Sequence, residues 1–240
     1  MIIEQGKPKL LLFGGTGTIG QAIKDKYQKN GWNVVVVGRS QQKDDIAFIV
    51  WDPCESDASD EVLESLKKQG KFDAVCWAQG MNLNDDVFSY EVSSHMEMYK
   101  ANVVYVLNSL NFILKHSLVN KPAKFCVLSS IWQEISRQNK LSYAVTKSAI
   151  KGLVLSACND LAREGHLINA VLPGALETPM TRANLSSPQI QAIEASTQFG
   201  RLANLEDVSN AVYSLCSEMN TGVTGNFITV DLGFSHVRNI

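Results

Sequence analysis

Seven short apolar runs, six of them separated by stretches that read as helix or loop, constrain this chain more than any other feature. They are KLLLF (9–13), NVVVV (33–37), IAFIV (46–50), AVC (74–76), KFCVL (124–128), INAVL (168–172) and FITV (227–230). The runs are continuously apolar instead of alternating, as strands covered on both faces of a parallel sheet must be. Between the first two, TIGQAIKDKYQKNG sets Ile19, Ile23 and Tyr27 at helical spacing and stops at Gly31, where a left-handed cap fits. Between the third and fourth, SDEVLESLKKQG carries acids in its first turn, lysines in its last and Gly70 after it, so both ends suit the helix dipole. Strand–helix–strand units joined by right-handed crossovers give an α/β fold, a Rossmann-type doubly wound parallel sheet of about seven strands with helices on both faces.

Nothing divides the chain. Its 240 residues suffice for one large core, and no repeat, low-complexity tract or linker interrupts it, so residues 1–240 read as a single domain. The less regular LETPMTRANLSSPQIQAIEASTQFG (176–200) is the natural substrate lid within it. A net charge of −2 without a dense Lys/Arg run argues against nucleic acid as a partner. The start MIIEQGKPKLLLF lacks the succession of a secretory signal, and no apolar run approaches the ~20 residues of a membrane span. The expectation is no membrane partner and a cytoplasmic location. The cysteines at 54, 76, 126, 158 and 216 form no C-x-x-C pair and read as reduced thiols, while His95, His116, His166 and His236 are too scattered for a metal site.

Directly after the first run, FGGTGTIG spaces Gly14, Gly17 and Gly20 three apart and leads into a helix. Glycine permits the tight turn and lets backbone N–H groups approach a pyrophosphate, which the helix N-terminus attracts. A glycine triplet in isolation is equally a tight turn. Its place in the first strand–helix unit favours a dinucleotide, with Thr16, Thr18 and Ile19 of the same loop among the contacts. The second run ends VVVVGRS, so Gly38 stands where an acid would hold the ribose 2′-OH, and Arg39 with Ser40 suits a 2′-phosphate. NADP(H) is favoured and NAD(H) stays open. Asp52, in VWDP, either meets the adenine amino group or starts a turn with Pro53, and the two readings weigh equally.

The fifth run ends VLSSIW, which sets Ser129 or Ser130 at the carboxyl edge of the sheet. Tyr143 follows Ser130 by thirteen residues and Lys147 follows Tyr143 by four. One helical turn puts the pair on one face, close enough for the ammonium to lower a tyrosine pKa that ordinarily lies near 10. Alone, such a pair is more often helix surface than chemistry. In the order glycine turn, Asp52, Ser130, Tyr143, Lys147, the sequence resembles the short-chain dehydrogenase/reductase family over essentially its whole length.

The resemblance implies an NADP(H)-preferring oxidoreductase that interconverts a carbonyl and an alcohol on a small molecule. Tyr143 would be the acid and base, Lys147 would tune it and hold the nicotinamide ribose, and Ser130 would position the carbonyl oxygen. Asn102, in KANVVYVL, would hold a water of the proton relay. Ala78 and Gly80 of WAQG, and Pro173, Gly174, Leu176 and Thr178 of INAVLPGALETPM, would lie along the cofactor. Thr224, Gly225 and Asp231 read as structural. The stretches 81–98 and 181–200 would line the substrate pocket, where Met81, Asn82, Asn84, Met180, Thr181 and Arg182 neither demand nor exclude a charged substrate. The small residues Ala144, Ser148, Gly152 and Ser156 permit close approach of another helix, either within the chain or in the homodimer or homotetramer that the resemblance favours.

The chain departs from the family pattern in three places. Phe13 stands where the glycine loop usually begins with threonine, the second glycine falls at 17 and leaves Thr18 in its usual place, and WAQG (77–80) replaces an Asn-Asn-Ala-Gly run. The missing asparagines remove hydrogen bonds between central strands, for which packing by Trp77 and a polar contact by Gln79 are the available substitutes. These departures leave a second reading, a cofactor-binding scaffold without turnover. The glycine spacing leaves a third, a sugar-nucleotide epimerase, although such enzymes are usually longer.

Overall fold

The structure is a computed structural model that describes residues 6–40, 47–55, 59–178, 181–182 and 185–237; Met180 lies outside them. Each apolar run contributes to a strand: β1 (Lys9–Phe13), β2 (Asn33–Gly38), β3 (Phe48–Val50), β4 (Phe72–Trp77), β5 (Val119–Leu128), β6 (Leu167–Pro173) and β7 (Phe227–Val230). The strands are parallel throughout, in the order β3-β2-β1-β4-β5-β6-β7. The chain winds outward from β1 to β3 and then resumes at β4 on the other side of β1. The crevice at the carboxyl ends of β1 and β4 is therefore the switch point where such sheets bind ligands.

The helices are α1 (Thr18–Lys29), α2 (Asp60–Lys68), α3 (Val92–Tyr99), α4 (Tyr105–Lys115), α5 (Leu141–Leu161), α6 (Ser187–Ala195) and α7 (Leu205–Cys216), with a π-helical turn, Lys100–Val104, joining α3 to α4. Gly31 and Gly70 follow α1 and α2 at φ +82° and +80°, the left-handed geometry their sequence placement called for. Residues 176–200 are more regular than expected. They include α6, whose start is fixed by a reciprocal capping box between Ser186 and Gln189 with a proline in the first turn.

Strand pleating divides the core in two. Leu11 and Phe13 of β1 face one layer, shared with Trp77, Tyr105, Ile113 and Val154, while Leu10 and Leu12 face the other, shared with Ile23, Tyr27, Val208 and Val212. The first layer contains the two most unusual residues of the sequence. Phe13 and Trp77 pair across β1 and β4 and stack with ring centroids 5.7 Å apart and planes 6° from parallel. Tyr105 meets Phe13 edge-on at 5.8 Å, and Trp77 Nε1 donates to Ser109 Oγ at 2.8 Å. Both rings are fully buried, and the indole N–H is satisfied, so the packing substitute for the missing asparagines is realised. Gln79 does not supply the polar substitute through its carbonyl, since its Oε1 is buried without a hydrogen-bond partner.

Candidate active site

The carboxyl ends of β4, β5 and β6 and the loop after β1 open into one cavity of about 1340 Å³. Gly17, Thr18 and Ile19 line it from the glycine loop, Ala78 and Gly80 from the end of β4, and Pro173, Gly174, Leu176 and Thr178 from the end of β6. Ser130, Tyr143 and Lys147 complete the same wall. Gly20 is buried, Gly14 is half-buried, and Thr16 is exposed on the loop. Arg39 and Ser40 are exposed at the end of β2, outside this lining. Asp52 is also outside it, and the turn reading is realised there, because Asp52 Oδ1 accepts from the Cys54 N–H at 2.9 Å.

The loop after β1 has no room for a side chain at Gly14 or Gly20. Gly14 has φ +75°, and a Cβ on Gly20 would lie 2.1 Å from the Gly14 carbonyl oxygen. α1 then starts at Gly17 with no side-chain cap and no acid in its first turn. Its first N–H groups have no intrahelical acceptor and an uncompensated positive dipole end, with Thr18 and Ile19 on the cavity surface. A pyrophosphate matches that end. These residues fit a dinucleotide.

Tyr143 projects from the first turn of α5, half-buried. Ser130 lies near enough to its phenol to favour the ionised form, while the Ser129 hydroxyl donates to Gln133 Oε1 at 2.8 Å, so Ser130 is the serine placed to serve the site. Lys147 lies one turn on, buried, donating to the Leu128 carbonyl at 3.0 Å with Nζ 5.6 Å from the Tyr143 ring centroid. Burial pushes the Tyr143 phenol up to about 12, opposed by Ser130, and pulls the Lys147 ammonium down to about 8. The expected lowering of the tyrosine by Lys147 is thus absent. The ammonium is engaged with a backbone carbonyl, and loss of water outweighs its attraction for a phenolate.

Asn102 sits in the π-helical turn, a feature frequent at functional sites. Its side chain is fully committed: Oδ1 accepts from the Met81 N–H at 2.7 Å, and Nδ2 donates to the Met81 carbonyl at 2.9 Å and to Thr146 Oγ1 at 3.0 Å. It clamps the strand end that carries Gly80 and Met81 to the base of α5.

Of the stretches expected to line a substrate pocket, residues 81–84 do so, as do Thr181, Leu185, Gln189 and several residues between 192 and 196, whereas residues 85–98 do not. Arg182 is exposed and forms a two-point ion pair with Glu177, at 2.5 and 2.7 Å. The wall between β5 and α5, including Trp132 and Arg137, was not expected, nor was Lys140. Lys140 is buried, donates to Asn82 Oδ1 at 2.6 Å and Asn84 Oδ1 at 2.7 Å, and places Nζ 5.4 Å from the Tyr143 ring centroid. In the sequence it is one lysine at a helix entrance, and no local pattern separates it from a solvated one. The stripe on α5 is also clarified: Ser148, Gly152 and Ser156 are exposed, and nothing lies within 4 Å of a Cβ on Gly152, so packing within the chain does not account for it.

The chain is similar to known proteins over most of its length. The profile of a family described as Enoyl-(Acyl carrier protein) reductase matches residues 15–235. Glucose 1-dehydrogenase of Gluconobacter oxydans is 24% identical over 95% of this chain and 91% of its own. L-rhamnose 1-dehydrogenase (NADP(+)) of Thermoplasma acidophilum is 26% identical over 97% of this chain and 98% of its own. Among solved structures, a gluconate 5-dehydrogenase from Burkholderia cenocepacia in complex with NADP and tartrate superimposes with a TM-score of 0.86, at 21% identity and 97% coverage of both chains.

Proposed function

The chain belongs to the short-chain dehydrogenase/reductase family and is an NAD(P)-dependent oxidoreductase of alcohols and carbonyls; on that premise we propose that it is NADP(H)-preferring and that Tyr143 exchanges the proton. The observation that carries this reading is the convergence of Ser130, Tyr143 and Lys147 on the cavity whose opposite wall is the uncapped start of α1. Gly17, Thr18, Ile19 and Gly20 would hold the pyrophosphate of the cofactor, and Gly174, Leu176 and Thr178 would flank its nicotinamide end. When bound, the cofactor supplies or accepts the hydride.

The chain's own residues manage the oxygen. Ser130 and Tyr143 present hydroxyl groups to the same cavity, and both can donate to a substrate carbonyl oxygen. With its phenol pushed up to about 12, Tyr143 is protonated at neutral pH and serves directly as the acid of carbonyl reduction. Lys147 holds a positive charge beside the phenolate that proton donation leaves. Because the Asn102 amide is fully bonded, a relay water would rest on its backbone carbonyl and not on its side chain. Arg39, exposed at the end of β2 with no acid beside it on that strand, supports a 2′-phosphate. Trp77 and Phe13, on which a scaffold without turnover would rest, lie in the core and not in the cavity lining.

The decisive test is oxidation and reduction of a panel of ketones, aldehydes and alcohols with NADPH and NADH side by side. Tyr143→Phe should lower turnover by a factor of roughly 10² or more, with NADPH fluorescence still reporting binding. Near-native turnover in that variant would overturn the assignment. The exposed stripe on α5, flanked by exposed Val145 and Leu155, supports a homodimer or homotetramer through this helix. Light scattering should return an oligomer that Gly152→Arg dissociates, and a native monomer would remove the proposal.

A further inference from the structure

The cavity carries charge of one sign. Arg137, Lys140 and Lys147 line it, and among the described residues no aspartate or glutamate does. Lys147 belongs to the chemistry above, but Lys140 has no part in it. The residue is 4% exposed, and its ammonium is held by two side-chain amide oxygens, those of Asn82 and Asn84. Amides fix the position of an ammonium without cancelling its charge, whereas a carboxylate would do both. The carboxylate that acts on Lys140 through space, Asp85, is occupied elsewhere: its Oδ1 accepts from the Ser142 N–H at 2.9 Å and its Oδ2 from the Ser142 hydroxyl. Arg137 stands on the same side, its guanidinium 5.7 Å from the Trp132 ring centroid, and neither cation forms an ion pair among the described residues.

A buried ammonium held by two amides, with Asp85 acting on it only through space and not in an ion pair, keeps part of its desolvation penalty, which an incoming anion offsets. We propose that Lys140, with Arg137 beside it, anchors an oxyanion carried by the carbonyl substrate itself. The start of α1 is the separate place for the phosphates of the cofactor, so those do not account for this pair. Lys140 Nζ lies 5.4 Å from the Tyr143 ring centroid, so the anion and the reacting carbonyl belong to one short molecule, an oxo acid or an oxo phosphate. The substrate class thus inferred rests on Tyr143 acting as proposed above, but anion binding by Lys140 can be read without turnover.

The experiment compares native protein with Lys140→Gln, which keeps an N–H donor for Asn82 and Asn84, and with Arg137→Gln. NADPH consumption is followed with two matched pairs: acetoacetate against its methyl ester, and dihydroxyacetone phosphate against dihydroxyacetone. In parallel, the NADP-loaded protein is titrated calorimetrically with butyrate and with inorganic phosphate. The native protein should favour the charged member of one pair, and that pair separates carboxylate from phosphate. Lys140→Gln should lower kcat/KM for the charged member roughly 10- to 100-fold, mainly through KM, and leave the neutral member within about 2-fold. Equal loss on both members, or a native preference for the neutral ones, overturns the proposal. If none of the four is turned over, calorimetry decides: anion binding by the native protein that Lys140→Gln abolishes supports it, and no binding overturns it. Full turnover by Tyr143→Phe would sink the reaction mechanism while leaving the calorimetric result to judge Lys140. Should Lys140→Gln fail to fold, Arg137→Gln carries the same comparison at smaller amplitude.

Discussion

The two walls of the cavity are built on opposite terms. The glycine wall offers backbone: an uncapped helix start, a loop with no room for a Cβ at Gly14 or Gly20 and no charged side chain in contact with the cavity. The α5 wall offers side chains, two buried ammonium groups within 6 Å of the ring centroid of one phenol. Backbone N–H groups bind a ligand part common to many enzymes, whereas buried cations select among substrates. The difference also marks where the chain departs from its family. That departure lies beneath the glycine wall and is one of packing, with Phe13 and Trp77 standing as a stacked pair where polar residues are usual.

If the aromatic pair is packing alone, removing it should damage stability and spare the site. Trp77→Ala deletes a fully buried indole that stacks on Phe13 and Phe125 and donates to Ser109. The expected cost is about 3–5 kcal/mol of unfolding free energy, read by urea denaturation, with NADPH affinity of the folded fraction within about 3-fold of native. In a Phe13→Ala background the further cost of Trp77→Ala should shrink by about 1 kcal/mol, the worth of a stacked pair beyond its buried area. A collapse of cofactor affinity with little loss of stability would erase the distinction between the walls and make Trp77 part of the site.

The glycine wall was legible in the sequence because backbone geometry demands particular residues at particular steps. Gly14 needs a positive φ, Gly20 has no space for a Cβ, and both demands are local. The strands were equally legible, since burial on both faces of a parallel sheet leaves continuous apolar runs. Ser130, Tyr143 and Lys147 could be placed once their order was matched to a family, yet their electrostatics could not. Whether Lys147 lowers Tyr143 or burial raises it depends on the Leu128 carbonyl and on how much water reaches α5. Lys140 was illegible for the same reason: its partners, Asn82 and Asn84, lie more than fifty residues away in sequence. The helix inside residues 176–200 has a local start signal in Ser186, the proline after it and Gln189, but the irregular composition of the stretch around it obscures that signal.

The smaller effect concerns the α5 wall and pH. Lys140 and Lys147 are both pulled from an ordinary 10.5 to about 8 in the folded protein, chiefly by burial. Between those values the unfolded chain binds more protons than the folded one, so stability rises with pH, and the benefit is lost as pH falls through about 8. Tyr143 is shifted the other way, to about 12, and its contribution is fully present below 10 and fades only above it, outside the window of the test. The comparison is native protein against the double variant Lys140→Met with Lys147→Met, denatured in urea at pH 7 and pH 9. Buried thiols such as Cys126 and Cys216, raised by their surroundings, are shared by both proteins and drop out of the difference. Relative to the variant, the native protein should gain about 1–2 kcal/mol between the two pH values, after allowance for partial solvation of both ammonium groups. A difference that does not change with pH would mean that the two lysines keep their ordinary protonation on folding. The α5 wall would then be no more electrostatically demanding than the glycine wall it faces.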